Sequence, residues 1–64
     1  MRRLLEIKEA AERLNIPEEL VADYIAREEL HAVELAPGVI RIAPADLERF
    51  VWMRRRNFRP LATT

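Results

Sequence analysis

Apolar residues recur at the beginning of the chain with the period of an α-helix. The first stripe consists of Ile7, Ala10, Ala11 and Leu14. Because these positions follow the spacing i, i+3, i+4 and i+7, they predict a helix from about Ile7 to Leu14. Asn15 comes next, and asparagine tolerates the left-handed conformation in which many helices end.

A second apolar stripe begins almost at once. Pro17 suits the first position of a helix, because the N–H that proline lacks would be unpaired there. The stripe that follows consists of Val21, Tyr24 and Ile25, with Leu20 beside it. Only the residues around Asn15 and Ile16 separate the two predicted helices. So short a turn between two helices is typical of a helix-turn-helix.

The period then changes from that of a helix to that of a β-strand. Apolar and polar residues alternate over residues 31–35 and 39–42, on either side of the turn signal Ala36-Pro37-Gly38. This pattern predicts a β-hairpin. Its expected apolar contributors are Val33, Leu35, Ile40 and Ile42.

A third helix is predicted to begin at Pro44 and to end at about Arg56. Its expected inner face consists of Leu47, Phe50 and Val51. The order helix, turn, helix, hairpin, helix predicts an α+β fold, a winged helix-turn-helix with a β-hairpin wing and a C-terminal helix. We expect this domain to span residues 1–58, and residues 59–64 to form a frayed tail.

The charges are segregated along the chain, although its 11 basic and 11 acidic residues sum to zero. Residues 18–34 carry one basic and six acidic groups, a net charge of −5. Residues 35–64 carry six basic and two acidic groups, a net charge of +4. A molecule with one acidic and one basic end can bind an anion, or its own neighbour head to tail.

The inventory of side chains argues against catalysis. The chain has no cysteine and no serine, and its only threonines are residues 63 and 64, so no serine, threonine or cysteine nucleophile lies on a predicted helix or strand. The single His31 has no second histidine or cysteine with which to hold a metal, and its position favours a strand-edge residue over a ligand or base. We therefore expect no enzyme, no cofactor, no metal and no small-molecule substrate. No apolar run approaches the roughly 18 residues of a membrane span.

Three motifs resemble the excisionase-like DNA-binding domains, a family of small, MerR-like winged helix-turn-helix domains. Residues 4–17, LLEIKEAAERLNIP, resemble the family's L-L-x-[VI]-K-E-A-A-x-x-L-G-[VI]-S. Residues 29–33, ELHAV, resemble its E-L-P-A-V. Residues 40–50 resemble I-R-I-x-x-x-D-L-x-x-F. The resemblance covers about residues 4–51, most of the chain.

The resemblance implies DNA binding without catalysis. Excisionases of phages and transposons bind repeated sites near an attachment site, bend the DNA and bias an integrase toward excision. The implied partners are double-stranded DNA, neighbouring copies of the chain on that DNA and a cognate integrase, and the implied location is the bacterial cytoplasm. Two alternatives remain, a small transcriptional regulator of the same fold and a protein-interaction module that has lost DNA binding.

The second helix, which enters the major groove in this fold, departs from the family pattern. Family members often have Ser-Arg-Ser-Thr at residues 17–20, where this chain has Pro-Glu-Glu-Leu, and often have glycine in place of Glu28. They also often have a tyrosine and an arginine where this chain has Ala22 and Asp23. The residues expected to contact DNA are Lys8, Glu18, Glu19, Ala22, Asp23, Arg27, Gly38, Arg41, Arg54, Arg55 and Arg56. Those expected to contact protein are Trp52, Met53 and Phe58.

Several of these residues have more than one interpretation. Glu18 and Glu19 can interact favourably with the positive end of the helix dipole. Alternatively, a carboxylate can accept a hydrogen bond from cytosine N4 and so read a base. A third interpretation is that the acidic helix contacts a protein instead of DNA. The arginines of residues 54–56 are candidates for phosphate contacts or for a solvated helix end. Trp52 and Met53 either cap a small core or form an exposed apolar patch.

Overall fold

The computed structural model describes residues 3–56 of the chain, and of Arg56 only the backbone. Its elements are α1 (Ile7–Leu14), α2 (Glu18–Ala26), β1 (Val33–Ala36), β2 (Val39–Arg41) and α3 (Pro44–Arg56). This is the predicted α+β winged helix-turn-helix, in which the hairpin β1–β2 is the wing. The predicted domain end at residue 58 and the predicted tail at residues 59–64 lie outside the described residues.

Helix α1 ends in the left-handed conformation that the sequence predicts. Asn15 has φ 59° and ψ 47°. The N–H groups of Asn15 and Ile16 donate to the carbonyls of Glu12 and Ala11 at 3.2 and 3.0 Å. These two hydrogen bonds form the Schellman motif, which pairs carbonyls at the end of a helix. The chain can therefore turn directly from α1 into α2.

Helix α2 begins one residue later than predicted. Pro17 has φ −65° and ψ 150°, so it caps the helix and Glu18 is the first helical residue. The carbonyl of Pro17 accepts hydrogen bonds from the N–H groups of Leu20 and Val21 at 3.1 and 3.3 Å, as the carbonyl of an N-cap residue does. Glu18 and Glu19 lie in the first turn, where their charges interact favourably with the helix dipole.

Helix α2 ends at a second left-handed residue, Glu28, whose φ is 60°. The N–H groups of Glu28 and Glu29 donate to the carbonyls of Ile25 and Tyr24 at 3.0 and 2.8 Å, which is again the Schellman pattern. Glycine is the usual residue at this position, because a Cβ in the left-handed region costs about 1–2 kcal/mol. Glu28 therefore stores backbone strain at the boundary between α2 and the wing.

The wing is an antiparallel hairpin in which Val33 lies opposite Arg41 and Glu34 lies opposite Ile40. Directly opposed residues of two strands point to the same face of a sheet. Val33 therefore shares a face with Arg41, and Ile40 shares the other face with Glu34. The four residues expected as apolar contributors of the hairpin therefore do not share one face, because Val33 and Ile40 lie on opposite sides of it.

One consequence of this register is that two large apolar side chains of the wing are exposed. Val33 is 38% exposed and Leu35 is 58% exposed, so neither is the core contributor that the sequence predicts. Leu35 lies where the register shifts between Glu34 and Ala36, and a bulge of this kind re-aims the side chains around it. Ile42, by contrast, is fully buried, as predicted.

The core joins residues of the three helices with Leu5, Leu30 and Ile42, which lie outside the helices and strands. It consists of Leu5, Ala10, Ala11, Val21, Leu30, Ile42, Leu47 and Phe50. Leu5 and Ile42 pair as an antiparallel bridge, each N–H donating to the other carbonyl at 2.8 Å. This bridge ties the segment before α1 to the end of the wing, so the orientation of the wing depends on the N-terminal residues.

Helix α3 begins at Pro44, as the sequence predicts, and extends to the last of the described residues. The face that it turns to the core differs from the prediction. Leu47 and Phe50 are buried, whereas Val51 is 43% exposed, so the predicted place of Val51 on the inner face is wrong. The ring of Phe50 packs against the ring of Tyr24 with 5.0 Å between their centroids. Neighbouring residues on a helix are about 100° apart. Because α3 is rotated so that Phe50 contacts Tyr24, Val51 lies at the edge of the buried face.

Candidate nucleic-acid interface

Helix α2 has one face held by the core and one face open. Val21 is fully buried, and Tyr24 and Ile25 pack against the core. The open face consists of Glu18, Glu19, Ala22, Asp23 and Ala26, all exposed. A helix held in this way can enter the major groove with its exposed face toward the base edges.

Two features of the open face bear on how it can meet DNA. Ala22 and Ala26 lie four residues apart, so their short side chains share one face and allow the helix backbone to approach a surface closely. Glu19 and Asp23 lie beside them at the same spacing, and α2 has no basic residue in its last turn. Attraction to phosphate must therefore come from residues outside α2.

Lys8 lies at a shallow cleft of about 430 Å³ between α1 and the start of α2. The cleft is also lined by Glu12, Asn15, Pro17 and Glu18. Lys8 is exposed, and the start of α2 carries partial positive charge because its first N–H groups have no helical partner. The cleft therefore places the Lys8 cation near the positive end of the α2 dipole, and both attract an anion. That Lys8 contacts a DNA phosphate stays a prediction.

The wing carries one cation, Arg41, which is already engaged within the chain. Its guanidinium lies 3.8 Å from the carboxylate of Glu6 and donates to the carbonyl of Ile40 at 2.8 Å. At the tip, Gly38 has φ 80°, and its N–H donates to the carboxylate of Glu34 at 3.1 Å. A positive φ favours glycine, so Gly38 fixes the shape of the wing whether or not it contacts DNA.

Arg54 packs onto the helix-turn-helix. Its guanidinium carbon lies 4.8 Å from the ring centroid of Tyr24 and 4.5 Å from that of Phe50. The same guanidinium forms an ion pair with the carboxylate of Glu29. Stacking over an aromatic face contributes about 0.5–1 kcal/mol at an exposed site. Arg54 thus joins α3 to the end of α2. Its contact with a DNA phosphate stays a prediction.

Arg27 closes α2 on the same side. Its backbone N–H donates to the carbonyl of Asp23 at 2.9 Å. Its guanidinium lies 5.5 Å from the ring centroid of Tyr24 and 3.7 Å from the carboxylate of Glu29. Arg27 and Arg54 therefore share Tyr24 and Glu29, and this pairing lowers the positive charge that either arginine presents to solvent.

The remaining candidate residues lie on or after α3. Arg55 is exposed and, within the described part of the chain, takes part in no ion pair. The side chain of Arg56 and all of Phe58 lie outside the described residues. Trp52 and Met53 are 54% and 45% exposed, so they form exposed apolar surface and do not cap the core.

An ion pair at the start of α1 raises the pKa of Arg3 and lowers the pKa of Glu9. The Arg3 guanidinium donates to the carboxylate of Glu9, and the backbone N–H of Glu6 donates to the same carboxylate at 2.9 Å. These contacts lower the pKa of Glu9 from 4.5 to about 2, with the hydrogen bond from Arg3 as the larger cause. The Glu9 carboxylate therefore stays charged across the range in which most carboxylates titrate.

Other kinds of site find little support in residues 3–56. His31 is exposed and lies in the loop before β1, beside an open groove that Glu28, Asp46 and Arg49 also line. No group of three or more histidine, cysteine or acidic side chains in that range is placed to hold a metal ion. Its helices are all too short or too polar to cross a membrane.

Sequence reasoning missed the cluster of Tyr24, Glu29, Phe50 and Arg54. Glu29 and Arg54 lie 25 residues apart, so no local period or motif relates them. Tyr24 and Phe50 were each expected on an apolar face, but nothing in either stripe indicates which other aromatic ring or which arginine would lie against it.

The family model described as a helix-turn-helix domain matches residues 4–55 of the chain. The chain therefore belongs to this family of small excisionase-like DNA-binding domains. Membership supports DNA as a partner, and the family is typically non-enzymatic. Searches of curated proteins and of solved structures returned no match to the chain.

Proposed function

We propose that the chain is a sequence-specific DNA-binding and DNA-bending protein of the excisionase type, a recombination directionality factor that biases an integrase toward excision of a mobile element. The observation that most supports this is the open face of α2, which a left-handed turn and a buried Val21 hold away from the core. A helix in this position reads base edges in the major groove of DNA.

The wing supports the bending part of the proposal. Its outer face carries Val33 and Leu35, both exposed. Proteins that kink DNA often insert apolar side chains between base steps from the minor groove. Exposed apolar side chains on the wing therefore fit a protein that deforms its site better than one that only follows the phosphates.

Affinity in this proposal comes from cations around α2, with Lys8 and Arg55 as the first candidates. Each phosphate contact releases counterions and adds about one to the slope of log affinity against log salt. We expect Lys8→Ala and Arg55→Ala each to lower affinity equally for all DNA sequences and to reduce that slope by about one. Arg49→Ala is the matched control, because it removes one exposed positive charge from α3 at a residue that is not expected to contact DNA, and it should leave the slope unchanged.

The acidic face of α2 either reads bases or repels phosphates, and a pair of variants separates these roles. If Glu19 or Asp23 accepts a hydrogen bond from cytosine N4, Glu19→Gln or Asp23→Asn lowers affinity for the preferred site and not for a scrambled one. If the carboxylates only repel phosphate, both variants raise affinity for both DNAs. A third result, no binding to any DNA at low salt, would favour the protein-interaction module.

The proposal also includes neighbouring copies of the chain on DNA, with the acidic α2 of one copy near basic residues of the next. A gel-shift titration on tandem sites at two salt concentrations tests binding, cooperativity and charge dependence together. Stimulated excision in a reconstituted integrase reaction would support the excisionase role. Specific protection of promoter DNA, without any effect on excision, would favour a transcriptional regulator of the same fold.

A further inference from the structure

One exposed stripe of α3 is complementary to itself. Glu48, Val51, Trp52 and Arg55 follow the spacing i, i+3, i+4 and i+7, so they lie along one face of the helix. We call these residues the α3 stripe. All four are exposed, and the two central residues are apolar, with Val51 43% and Trp52 54% exposed.

The order of charges along the α3 stripe determines which pairing it favours. An acidic residue stands at its N-terminal end, a basic residue at its C-terminal end, and the midpoint between Glu48 and Arg55 falls between Val51 and Trp52. If two copies lie antiparallel about a twofold axis at that midpoint, Glu48 of each copy faces Arg55 of the other. A parallel pairing would instead place like charges together, which is unfavourable.

A groove beside the α3 stripe has a mostly apolar lining, to which the charged side chains of Arg13, Glu48 and Arg55 also contribute. Leu14 and Leu47 line this groove of about 310 Å³ with Val51 and Trp52. Val51 and Leu14 also line a second open groove with Ile16 and Tyr24. The apolar surface therefore continues from α3 onto the turn between α1 and α2.

We propose that two copies of the chain form an antiparallel, twofold-symmetric dimer through the α3 stripe, with Val51 and Trp52 at its centre and two Glu48–Arg55 pairs at its ends. A twofold interface presents the same patch from both copies, and the α3 stripe satisfies that condition by itself. The dimer needs no DNA and does not depend on the proposed function. Because Arg55 is also a candidate for a phosphate contact, an Arg55 that is paired in the dimer is not available to phosphate, and the dimer is therefore tested without DNA. It also differs from the side-by-side contact on DNA, which would join unlike surfaces.

One helix from each copy buries less area than a permanent dimer does, so the pairing is at the weak end of specific interfaces. We expect a dissociation constant between about 1 µM and 1 mM. Glu48 also has an interaction within its own chain, so dimerisation adds to or exchanges that contact. Most of the affinity therefore comes from Trp52, since large aromatic residues dominate such interfaces.

The test is sedimentation velocity of the full chain without DNA, over a concentration range that spans the expected dissociation constant. The wild-type chain should convert from monomer to dimer as its concentration rises. Trp52→Ala should raise the dissociation constant by about tenfold or more. Met53→Ala is the matched control, because Met53 is similarly exposed but lies outside the α3 stripe, and it should leave the constant unchanged.

Charge reversal tests the register of the pairing. Glu48→Arg alone and Arg55→Glu alone each bring like charges together at both ends, and should weaken the dimer by about threefold or more. A mixture of these two variants should dimerise as tightly as the wild-type chain, since each Glu then faces an Arg again. A chain that stays monomeric throughout, or a mixture no tighter than its components, would overturn the proposal.

Discussion

Replacing Glu28 by glycine is expected to stabilise the fold, although it removes an entire side chain. Glu28 has φ 60° at the end of α2, and its side chain is exposed. The Schellman hydrogen bonds at this position are made by backbone groups of Glu28 and Glu29, so the substitution leaves them intact. What changes is the Cβ, which the left-handed conformation disfavours.

The expected gain follows from two opposing contributions. Relief of the left-handed strain contributes about 1–2 kcal/mol, and the greater freedom of glycine in the unfolded chain costs about 0.5–1 kcal/mol. The midpoints of these two ranges differ by about 0.75 kcal/mol, so the expected net gain for Glu28→Gly is about 0.5–1 kcal/mol in the free energy of unfolding. For a domain of this size, such a gain raises the Tm by about 2–8 °C.

The assay is urea denaturation followed by circular dichroism, with Glu28→Ala as the matched control. Both variants remove the carboxylate, which lies unfavourably near the negative end of the α2 dipole, but only glycine removes the Cβ. Glycine should therefore be more stable than alanine by about 0.5–1 kcal/mol at an unchanged m-value. If the two variants are equally stable, the left-handed strain is not what limits stability at this turn.

Three further predictions concern the contacts that hold the domain together. Arg54→Lys keeps the charge near Glu29 but loses the stacking on two aromatic rings, so it should destabilise by about 0.5–1 kcal/mol; an unchanged Tm would contradict this. Because the pKa of Glu9 is lowered to about 2, its pairing with Arg3 stabilises fully above pH 4.5 and loses that contribution as pH falls toward 2. The Tm of Glu9→Gln should therefore fall less than that of the wild-type chain as pH is lowered from 4.5 to about 2. If the Tm of both chains falls equally with pH, the ion pair does not contribute. Leu30 is 1% exposed, so Leu30→Ala should lower the free energy of unfolding by about 2–5 kcal/mol. A loss below about 1 kcal/mol in urea denaturation would show that neighbouring side chains fill the cavity.

The local elements were predictable because local residues specify them. The apolar stripe of residues 7–14 matches α1 at both ends, and the left-handed Asn15 is where a residue with a short polar side chain was expected. Pro44 begins α3 as predicted. In each case the signal is a helical period, or a residue such as Asn15 or Pro44 that ends or begins a helix, and it lies within a few residues of the element.

The candidate interface was only partly predictable. That α2 leaves one face open follows from its apolar stripe together with family membership. Which basic side chains are free to contact phosphate could not be predicted from the sequence, because it depends on acidic partners far away in the chain. Arg54 meets Glu29 and Arg41 meets Glu6, while Lys8 stays exposed.

By itself, the sequence determined the order of elements, their approximate ends and the acidic character of the helix in the recognition position. Only the tertiary structure decided how the elements face one another. The strand register turned Val33 and Leu35 outward, and the packing of Phe50 on Tyr24 left Val51 and Trp52 exposed. The physical reason is that a period shows which residues share a face, whereas the rotation of that face depends on contacts with distant residues such as the pairing of Leu5 with Ile42.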